Sequence, residues 1–306
     1  MQNFAIIKRI KEIFEKGENI IEFLKNVDGH KSNTLEDILI AYDLQSGSYV
    51  KHYLLHQEES EKYCKCIVNI VNTLEDFDSI IEIGVGEATT LNSVLNGLRC
   101  RPKTIFGLDI SWSRLKWGHA FLNENNKKNV NLFVANLFEI PLPDNSVDIV
   151  YTSHSLEPNG GKEEDALKEL YRIARKYVVL FEPAYELASP EAQERMLKHG
   201  YVTKLYESAK KLKFNILEYR LLEYTKNILN PTGIILIKKD AVKNEIPLYI
   251  CPITHTTLIT YNDSLLHSKE SHLSYPIIEN IPCLLKENAI LTSSLLSDIK
   301  DVFKIK

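Results

Sequence analysis

The sequence predicts an α/β protein built on a doubly wound sheet of seven strands, five of them parallel and the last two forming an antiparallel hairpin. Three observations support this fold class. Short β-branched runs alternate with helical patterns from residue 79 onward, each run is apolar almost throughout, and the last two runs lie too close together for a helical crossover. We predict a helical cap before this domain and a small, mostly β module after it, with boundaries at 1–74, 75–240 and 241–306.

Apolar residues in the N-terminal region recur at helical spacing, in groups that begin near Ile6, Ile20 and Leu35. Asn33 or Thr34 is suited to cap the third of these helices, because a short polar side chain can accept a hydrogen bond from the first turn. We interpret the region as a cap that either packs on the main domain or closes over its active site.

The central domain contains five strand-like runs, at Ser79–Ile83, Thr104–Ile110, Val130–Ala135, Val147–Thr152 and Tyr177–Phe181. The helical patterns between them cover Thr89–Leu98, Trp112–Asn123 and Glu163–Arg175, and a long helix is predicted over Pro190–Lys213. Two further strands are predicted near Leu217–Tyr224 and Gly233–Lys238. Because only about eight residues separate them, they should pair antiparallel.

Composition narrows the class of protein. The chain has 306 residues, 44% of them apolar, and its net charge of −4 argues against a nucleic-acid partner. No apolar run approaches the roughly 20 residues of a membrane span, and the N-terminus lacks the core of a signal peptide. The five cysteines are too scattered for a disulfide framework. We therefore predict a cytoplasmic protein without membrane contact, and a homodimer is compatible with the sequence.

The segment Glu82-Ile83-Gly84-Val85-Gly86 leads from the first predicted strand toward a helix. Glycines at this point permit a tight turn and close approach of a ligand, and the helix N-terminus adds the positive end of a dipole. A dinucleotide fingerprint has a third glycine where this chain has Thr89. The Glu82 carboxylate would repel a pyrophosphate but suits a cationic amino acid group. Asp109 ends the second strand, where a carboxylate can accept hydrogen bonds from both ribose hydroxyls.

Together these residues and the closing hairpin resemble class I S-adenosylmethionine-dependent methyltransferases, over about residues 60–240. The resemblance implies S-adenosyl-L-methionine as cofactor, with Gly84 and Gly86 beside its methionine part and Asp109 at its ribose. Asn136 would lie by the adenine, at a position where many members of the family have Asp. The other expected cofactor contacts are Glu82, Ile110, Leu137 and Ser153.

Catalytic groups are expected after the fourth strand, at His154 and Glu157. An imidazole with its ordinary pKa near 6.5 can take a proton from an acceptor hydroxyl at neutral pH, although His154 can also simply line the pocket or cap a helix. Glu182 ends the fifth strand and is an expected substrate contact, and both glutamates can instead act as caps. The remaining expected substrate contacts, in a polar segment that can close over the site, are Tyr42, Gln45 and Tyr49.

The C-terminal segment, from Cys251-Pro252 to Ile281-Pro282, resembles a small zinc-ribbon-like module known as an activator partner of RNA and protein methyltransferases. A structural zinc site needs four ligands, usually in two Cys-x-x-Cys pairs. Here Thr254 stands in the place of the second cysteine, and the spacing of the nearby histidines is irregular. We therefore predict no metal and a ribbon held by packing, with a last helix over Thr292–Val302.

The leading hypothesis is methyl transfer to a small polar acceptor, at an oxygen of a metabolite or a sugar-containing compound. One alternative is a methyltransferase that acts on tRNA or protein, suggested by the C-terminal module. Another is a catalytically silent cofactor-binding scaffold. A nicotinamide oxidoreductase is disfavoured by Thr89 and Glu82.

Overall fold

The computed structural model describes residues 6–29, 33–242 and 248–296. Its centre is a seven-stranded sheet composed of β1 (Ser79–Ile83), β2 (Thr104–Asp109), β3 (Val130–Val134), β4 (Val147–Ser153), β5 (Ala174–Pro183), β6 (Asn215–Leu221) and β7 (Thr232–Lys238). The strand order is β3-β2-β1-β4-β5-β7-β6. The first five strands are parallel, and β7 pairs antiparallel with both β5 and β6. The predicted fold class is confirmed.

Helices cover both faces of this sheet. They are α1 (Ile7–Glu15), α2 (Ile20–Asp28), α3 (Leu35–Leu44), α4 (Ser48–Leu55), α5 (Gln57–Val71), α6 (Thr89–Gly97), α7 (Trp112–Glu124), α8 (Glu163–Ile173), α9 (Pro190–His199) and α10 (Leu205–Lys211). Neighbouring residues of β1 point into different cores: Ile80 packs with α5, α6 and α7, whereas Ile81 packs with α8 and α10. The parallel strands β1, β2, β4 and β5 are therefore buried on both sides, which explains their nearly continuous apolar sequences.

Local signals fix the helix ends. The Thr34 side chain accepts a hydrogen bond from the Asp37 N–H at 3.1 Å, and the Asp37 side chain accepts one from the Thr34 N–H at 3.0 Å, so this pair forms a capping box for α3. The prediction of one long helix over 190–213 is wrong. Gly200 has φ +69° and ends α9 in the left-handed conformation, so a second helix, α10, begins only at Leu205.

The C-terminal module covers part of the sheet that has no helix of its own. Residues 135–146 connect β3 to β4 without a helix. The module consists of short strands, β8 (Ile259–Tyr261), β9 (Leu265–His267), β10 (Leu273–Ile278), β11 (Ile281–Pro282) and β12 (Ile290–Leu291). Its Tyr249 ring packs edge-on against Phe133 of β3 at 5.2 Å. The Leu284 N–H donates to the Val134 carbonyl at 2.8 Å, so the module also pairs with the edge of β3.

In the module, the Cys251 thiol lies 3.1 Å from the Tyr275 hydroxyl and accepts from the Thr254 N–H at 3.5 Å. Across the described ranges we find no group of three or more His, Cys, Asp or Glu side chains arranged to hold a metal ion. The described part of the predicted last helix, residues 292–296, consists mainly of turns, and the rest of that prediction lies outside the described residues. Within the residues that the structure describes, no helix has the length and apolar content to span a membrane.

Candidate functional site

A first cavity opens where the carboxyl ends of β1, β2, β3 and β4 meet beneath α3 and α4. Ten of the residues predicted from sequence line it: Tyr42, Tyr49, Glu82, Gly84, Asp109, Ile110, Asn136, Leu137, Ser153 and His154. Because parallel strands all end at the same edge of a sheet, side chains that are far apart in sequence converge there.

The glycine-rich turn is tightly enclosed. Gly84 has φ +70°, and a Cβ placed on it would lie 2.3 Å from the Ser155 Cβ. Gly86 has φ +54°, and a Cβ there would lie 2.4 Å from the Arg114 guanidinium. Glycine is therefore favoured at both positions for conformation, and at Gly84 also for space, since the Ser155 Cβ cannot move aside as the end of the Arg114 side chain can.

Asp109 holds this turn in place from the end of β2. Its buried carboxylate accepts hydrogen bonds from the Gly86 and Ser111 N–H groups, each at 2.9 Å, and lies 3.8 Å from the Arg114 guanidinium. Each carboxylate oxygen has a second lone pair, so Asp109 can still accept hydrogen bonds from a ligand in the first cavity.

Glu82 is buried at the end of β1 and accepts a hydrogen bond from the Tyr151 hydroxyl at 2.8 Å. Burial raises the pKa of its carboxyl to about 8. The group is therefore largely protonated at pH 7, and a cationic ligand group beside it would favour its charged form.

Two charged residues that line the first cavity, Glu87 and Arg114, were not found from sequence. The Arg114 guanidinium stacks over the Tyr49 ring at 4.4 Å and lies 5.2 Å from the centre of the Tyr42 ring. The buried Glu87 carboxylate accepts from the Gly47 N–H at 2.8 Å and from the Val50 N–H at 2.7 Å, so it caps the N-terminus of α4. Both side chains tie the α3–α4 segment to the glycine-rich turn, through contacts too distant in sequence for a local pattern to reveal.

His154 follows β4 in a left-handed conformation, with φ +54°, which is uncommon for a residue other than glycine. Its Nδ1 lies 2.5 Å from Glu157 Oε2 and its Nε2 lies 2.7 Å from Thr232 Oγ1. Burial lowers the pKa of the imidazole, but the hydrogen-bonded Glu157 carboxylate raises it more, so the net pKa is above its ordinary value. Burial raises the pKa of Glu157, and its bond to His154 reverses this, giving a lowered pKa. The two groups form an ion pair, in which Asn230 also donates to Glu157 at 3.1 Å.

Glu182, Gln45, Gly86 and Glu157 do not line the first cavity themselves. Glu182 is buried below the turn after β4, where it accepts from the N–H groups of Ser155, Leu156 and Glu157 at 3.0–3.1 Å. Burial raises the pKa of its carboxyl to about 7. These contacts give Glu182 a role in holding the His154 turn. Gln45 lies just before α4, where its backbone carbonyl oxygen accepts a hydrogen bond from the Ser48 hydroxyl at 2.6 Å.

A second cavity of about 470 Å³ adjoins the first. The two share a wall composed of Tyr49, Thr89, Thr90, Ser153 and His154. In this wall the Tyr63 hydroxyl, which faces the second cavity, lies 2.8 Å from Ser153 Oγ. The site thus consists of two adjoining chambers with His154 at their boundary.

The residues of the first cavity fit S-adenosylmethionine. The enclosed glycine turn leaves backbone free for close approach, Asp109 can accept from hydroxyls, and Ile110 and Leu137 supply an apolar wall. The buried Ser155 hydroxyl, beside Gly84, has no hydrogen-bond partner among the described residues and is available to a ligand. The first cavity measures about 150 Å³, below the roughly 300–1,000 Å³ of ligand pockets, and it is continuous with open space at its mouth.

Residues 81–181 match the family model described as a methyltransferase domain. No curated protein matches the sequence significantly.

Among solved structures, the [4+2]-cyclase SpnF is similar at 13% identity, over 60% of this chain and 82% of that chain, with a TM-score of 0.47. The geranyl diphosphate C-methyltransferase from Streptomyces coelicolor A3(2) is similar at 12% identity, over 59% of this chain and 79% of that chain, with a TM-score of 0.45. The complex between the Haloferax volcanii Trm112 methyltransferase activator and a methyltransferase is similar at 15% identity, over 61% of this chain and 93% of that chain, with a TM-score of 0.47. Similarities this weak carry no argument about the acceptor.

The sheet order with its closing hairpin, the glycine turn with Asp109, and the match over residues 81–181 define an S-adenosylmethionine-dependent methyltransferase. S-adenosyl-L-methionine is its cofactor.

Proposed function

We propose that the enzyme transfers a methyl group to an oxygen of a small polar acceptor held in the second cavity. The observation that supports this most directly is the position of His154, which lies in the wall shared by the two cavities and is paired with Glu157 at 2.5 Å. An imidazole oriented by a carboxylate is a common form of general base.

S-adenosylmethionine held at the glycine turn and Asp109 would supply a methyl group from its sulfonium: the bond from sulfur to the methyl carbon would break as the accepting oxygen gained that carbon, S-adenosylhomocysteine would leave, and the hydroxyl proton would go to a base. His154 takes that proton when it is in its neutral form, whose share increases as pH rises through the raised pKa of the imidazole, and Glu157 stabilises the imidazolium that results. The Thr232 hydroxyl contacts the other ring nitrogen, Nε2, of His154. It can relay the proton from the acceptor hydroxyl to Nε2, or it can move away so that the acceptor hydroxyl contacts Nε2 directly. Tyr49, which lies in the shared wall, and Tyr42 close the first cavity from above and exclude water.

The placement of the C-terminal module favours a small acceptor over tRNA or protein. The module residues in the described part of the chain line neither the first nor the second cavity; they cover the edge of β3 and the face beside it. A macromolecular acceptor bound by the module would have to reach a site bounded instead by α4, α5 and α6.

Calorimetric titration tests the cofactor half of this proposal. S-adenosylmethionine and S-adenosylhomocysteine should bind with micromolar affinity, NAD should not bind, and Asp109→Ala should weaken both sulfur ligands by about 100-fold or more through loss of charged hydrogen bonds. Asp165→Ala, at an exposed position on α8, is the control. Tighter binding of NAD, or full affinity in Asp109→Ala, would contradict the proposal.

A screen of hydroxylated small molecules with labelled cofactor tests the acceptor half. Transfer to an oxygen of at least one such compound, lost in His154→Gln, is the expected result. Transfer only to tRNA or protein, or cofactor binding with no transfer to any class of acceptor, would favour instead the macromolecular enzyme or the silent scaffold.

A further inference from the structure

The second cavity has a lining of unusual charge. Among the described residues that form it there is no Asp or Glu, whereas Lys226, His52 and His154 all contribute. The chain as a whole has a net charge of −4, so a cavity without a carboxylate in its wall is not what the average surface would give.

Two nearby carboxylates, Glu157 and Glu61, do not line the second cavity and are hydrogen-bonded to other side chains. Glu157 is bonded to His154, and Glu61 accepts from the Ser93 hydroxyl at 2.8 Å and from the Tyr53 hydroxyl. Burial and the Glu61 hydrogen bond raise the pKa of the Tyr53 phenol, so it stays a neutral hydrogen-bonding group. The walls of the second cavity therefore present hydroxyls and cations to its contents.

Lys226 is the principal cation. It lies in the loop between β6 and β7, and its ammonium group contacts Ser60 Oγ at 3.5 Å and the face of the Tyr63 ring at 5.5 Å from the centre. Neither contact neutralises the charge, since one is a long bond to a hydroxyl and the other an interaction with a ring. The ammonium group thus retains donors for an anion in the second cavity.

The body of the second cavity is aromatic. Tyr49, Tyr53 and Tyr63 are part of its lining, and its volume of about 470 Å³ is within the range of small-ligand sites. A planar organic molecule can pack against these rings while a charged end reaches Lys226.

We propose that the acceptor is a small organic anion, a carboxylate or a phosphate ester, whose charged group is bound by Lys226, which lines the second cavity and not the first. This inference rests on the proposed function, because it identifies the acceptor through the cavity next to the S-adenosylmethionine site. A charged hydrogen bond of this type is worth about tenfold or more in affinity.

The test uses aromatic probes of matched shape, titrated by calorimetry into the full-length protein saturated with S-adenosylhomocysteine. The probes are 4-hydroxybenzoate, phenyl phosphate and the neutral 4-hydroxybenzamide. At least one anion should bind about tenfold more tightly than the amide, and Lys226→Gln should remove that preference. The tighter of the two anions distinguishes a carboxylate acceptor from a phosphate ester. Lys51→Gln is the matched control, since Lys51 is exposed on α4 and lines neither cavity.

Equal binding of the amide, no binding of either anion, or a preference that survives in Lys226→Gln would overturn this inference. These outcomes are separate from failure of the proposed function, which would show as no binding of S-adenosylhomocysteine in the first titration. If the cofactor binds and only neutral hydroxyl compounds are methylated, the proposed function stands and the anionic acceptor does not.

Discussion

The two adjoining cavities differ in charge and in the way the chain builds them. The first cavity contains the carboxyl groups of Glu82, Glu87 and Asp109 together with the Arg114 guanidinium, and measures about 150 Å³. The second, about 470 Å³, contains Lys226 and two histidines, and no described carboxylate. A ligand with cationic groups suits the first, and an anion suits the second.

The two cavities also differ in how far apart in the sequence their charged residues lie. The carboxylates and the guanidinium of the first cavity all fall between Glu82 and Arg114, in consecutive elements of the sheet and its helices. The second cavity combines residues of α4, α5 and α6 with Lys226, from a loop 129 positions after the end of α6 at Gly97. The charged groups on the cofactor side of the site are therefore encoded in one short segment, whereas the acceptor side depends on the packing of segments that are far apart in the sequence.

Gly84→Ala should have the largest effect, and it should fall on the first cavity alone. The new Cβ would meet the Ser155 Cβ at 2.3 Å in a backbone with φ +70°. Strain and overpacking together should lower the free energy of unfolding by about 2–5 kcal/mol, and affinity for S-adenosylmethionine should fall by about 100-fold or more. Chemical denaturation and calorimetry measure the two quantities.

Gly161→Ala separates the effect of backbone strain from the effect of overpacking. Gly161 has φ +85° but no atom within 4 Å of an added Cβ, so its substitution introduces strain without crowding. We expect a loss of only about 1–2 kcal/mol and an unchanged cofactor affinity. Equal losses in the two variants would mean that the space around Gly84 does not matter.

His154→Gln tests whether the wall between the cavities is catalytic. Methyl transfer should fall by about 10²–10⁴ in kcat, as expected for removal of a general base, while cofactor affinity stays within about threefold. Glutamine keeps a polar side chain of similar reach beside Thr232 and Glu157. A variant with full kcat would show that His154 only lines the cavities, which is the alternative interpretation of its place in the sequence.

The sequence allowed the sheet to be predicted because its parallel strands are buried on both faces and so are continuously apolar. It also allowed Gly84 and Asp109 to be predicted at strand ends, since their residue types are dictated locally by a tight turn and a strand end. The break at Gly200 was missed because a helical pattern continues on both sides of it. A glycine can be a helix end or an interior residue, and only its observed conformation distinguishes the two.

Contacts between segments far apart in the sequence were beyond such arguments. Glu87 and Arg114 act through contacts with α3 and α4, and Thr232 meets His154 across 78 positions. Their residue types are common and carry no motif, so nothing in the sequence marks them before the elements are packed. For Glu182, the position at a strand end was visible in the sequence but its contacts were not. That position indicated a substrate contact, whereas in the structure its hydrogen bonds hold the His154 turn.

Glu157→Gln should change the pH dependence of both stability and activity. In the wild type the pKa of His154 is raised by Glu157, so the stability from charged His154 is present below its ordinary pKa of 6.5 and lost as pH rises through the raised value. The stability from Glu157, whose pKa is lowered, is lost as pH falls through that value. The variant should be less stable by about 2 kcal/mol between these limits, and the difference should shrink at higher pH.

The activity of the same variant provides the second readout. Methyl transfer should increase with pH as His154 becomes neutral, and the apparent pKa of this increase should be lower in Glu157→Gln than in the wild type. Glu164→Gln, which removes a carboxylate at a distance on α8, should leave the profile unchanged. An identical profile in Glu157→Gln would separate Glu157 from the ionisation that limits the rate.

Glu82→Gln should give the smallest effect in affinity but a specific one in proton release. Burial raises the pKa of Glu82 to about 8, so it is largely protonated at pH 7, and a cationic group of the cofactor beside it would lower that pKa. Binding should then release up to about one proton more in the wild type than in Glu82→Gln, because glutamine has no proton to lose. Calorimetry in buffers of different ionisation enthalpy measures the difference, and the Gln oxygen still accepts from Tyr151, so the fold is preserved. Equal proton release in both proteins would place the cationic end of the cofactor away from β1, and the charge difference between the two cavities would then no longer explain how the first one selects its ligand.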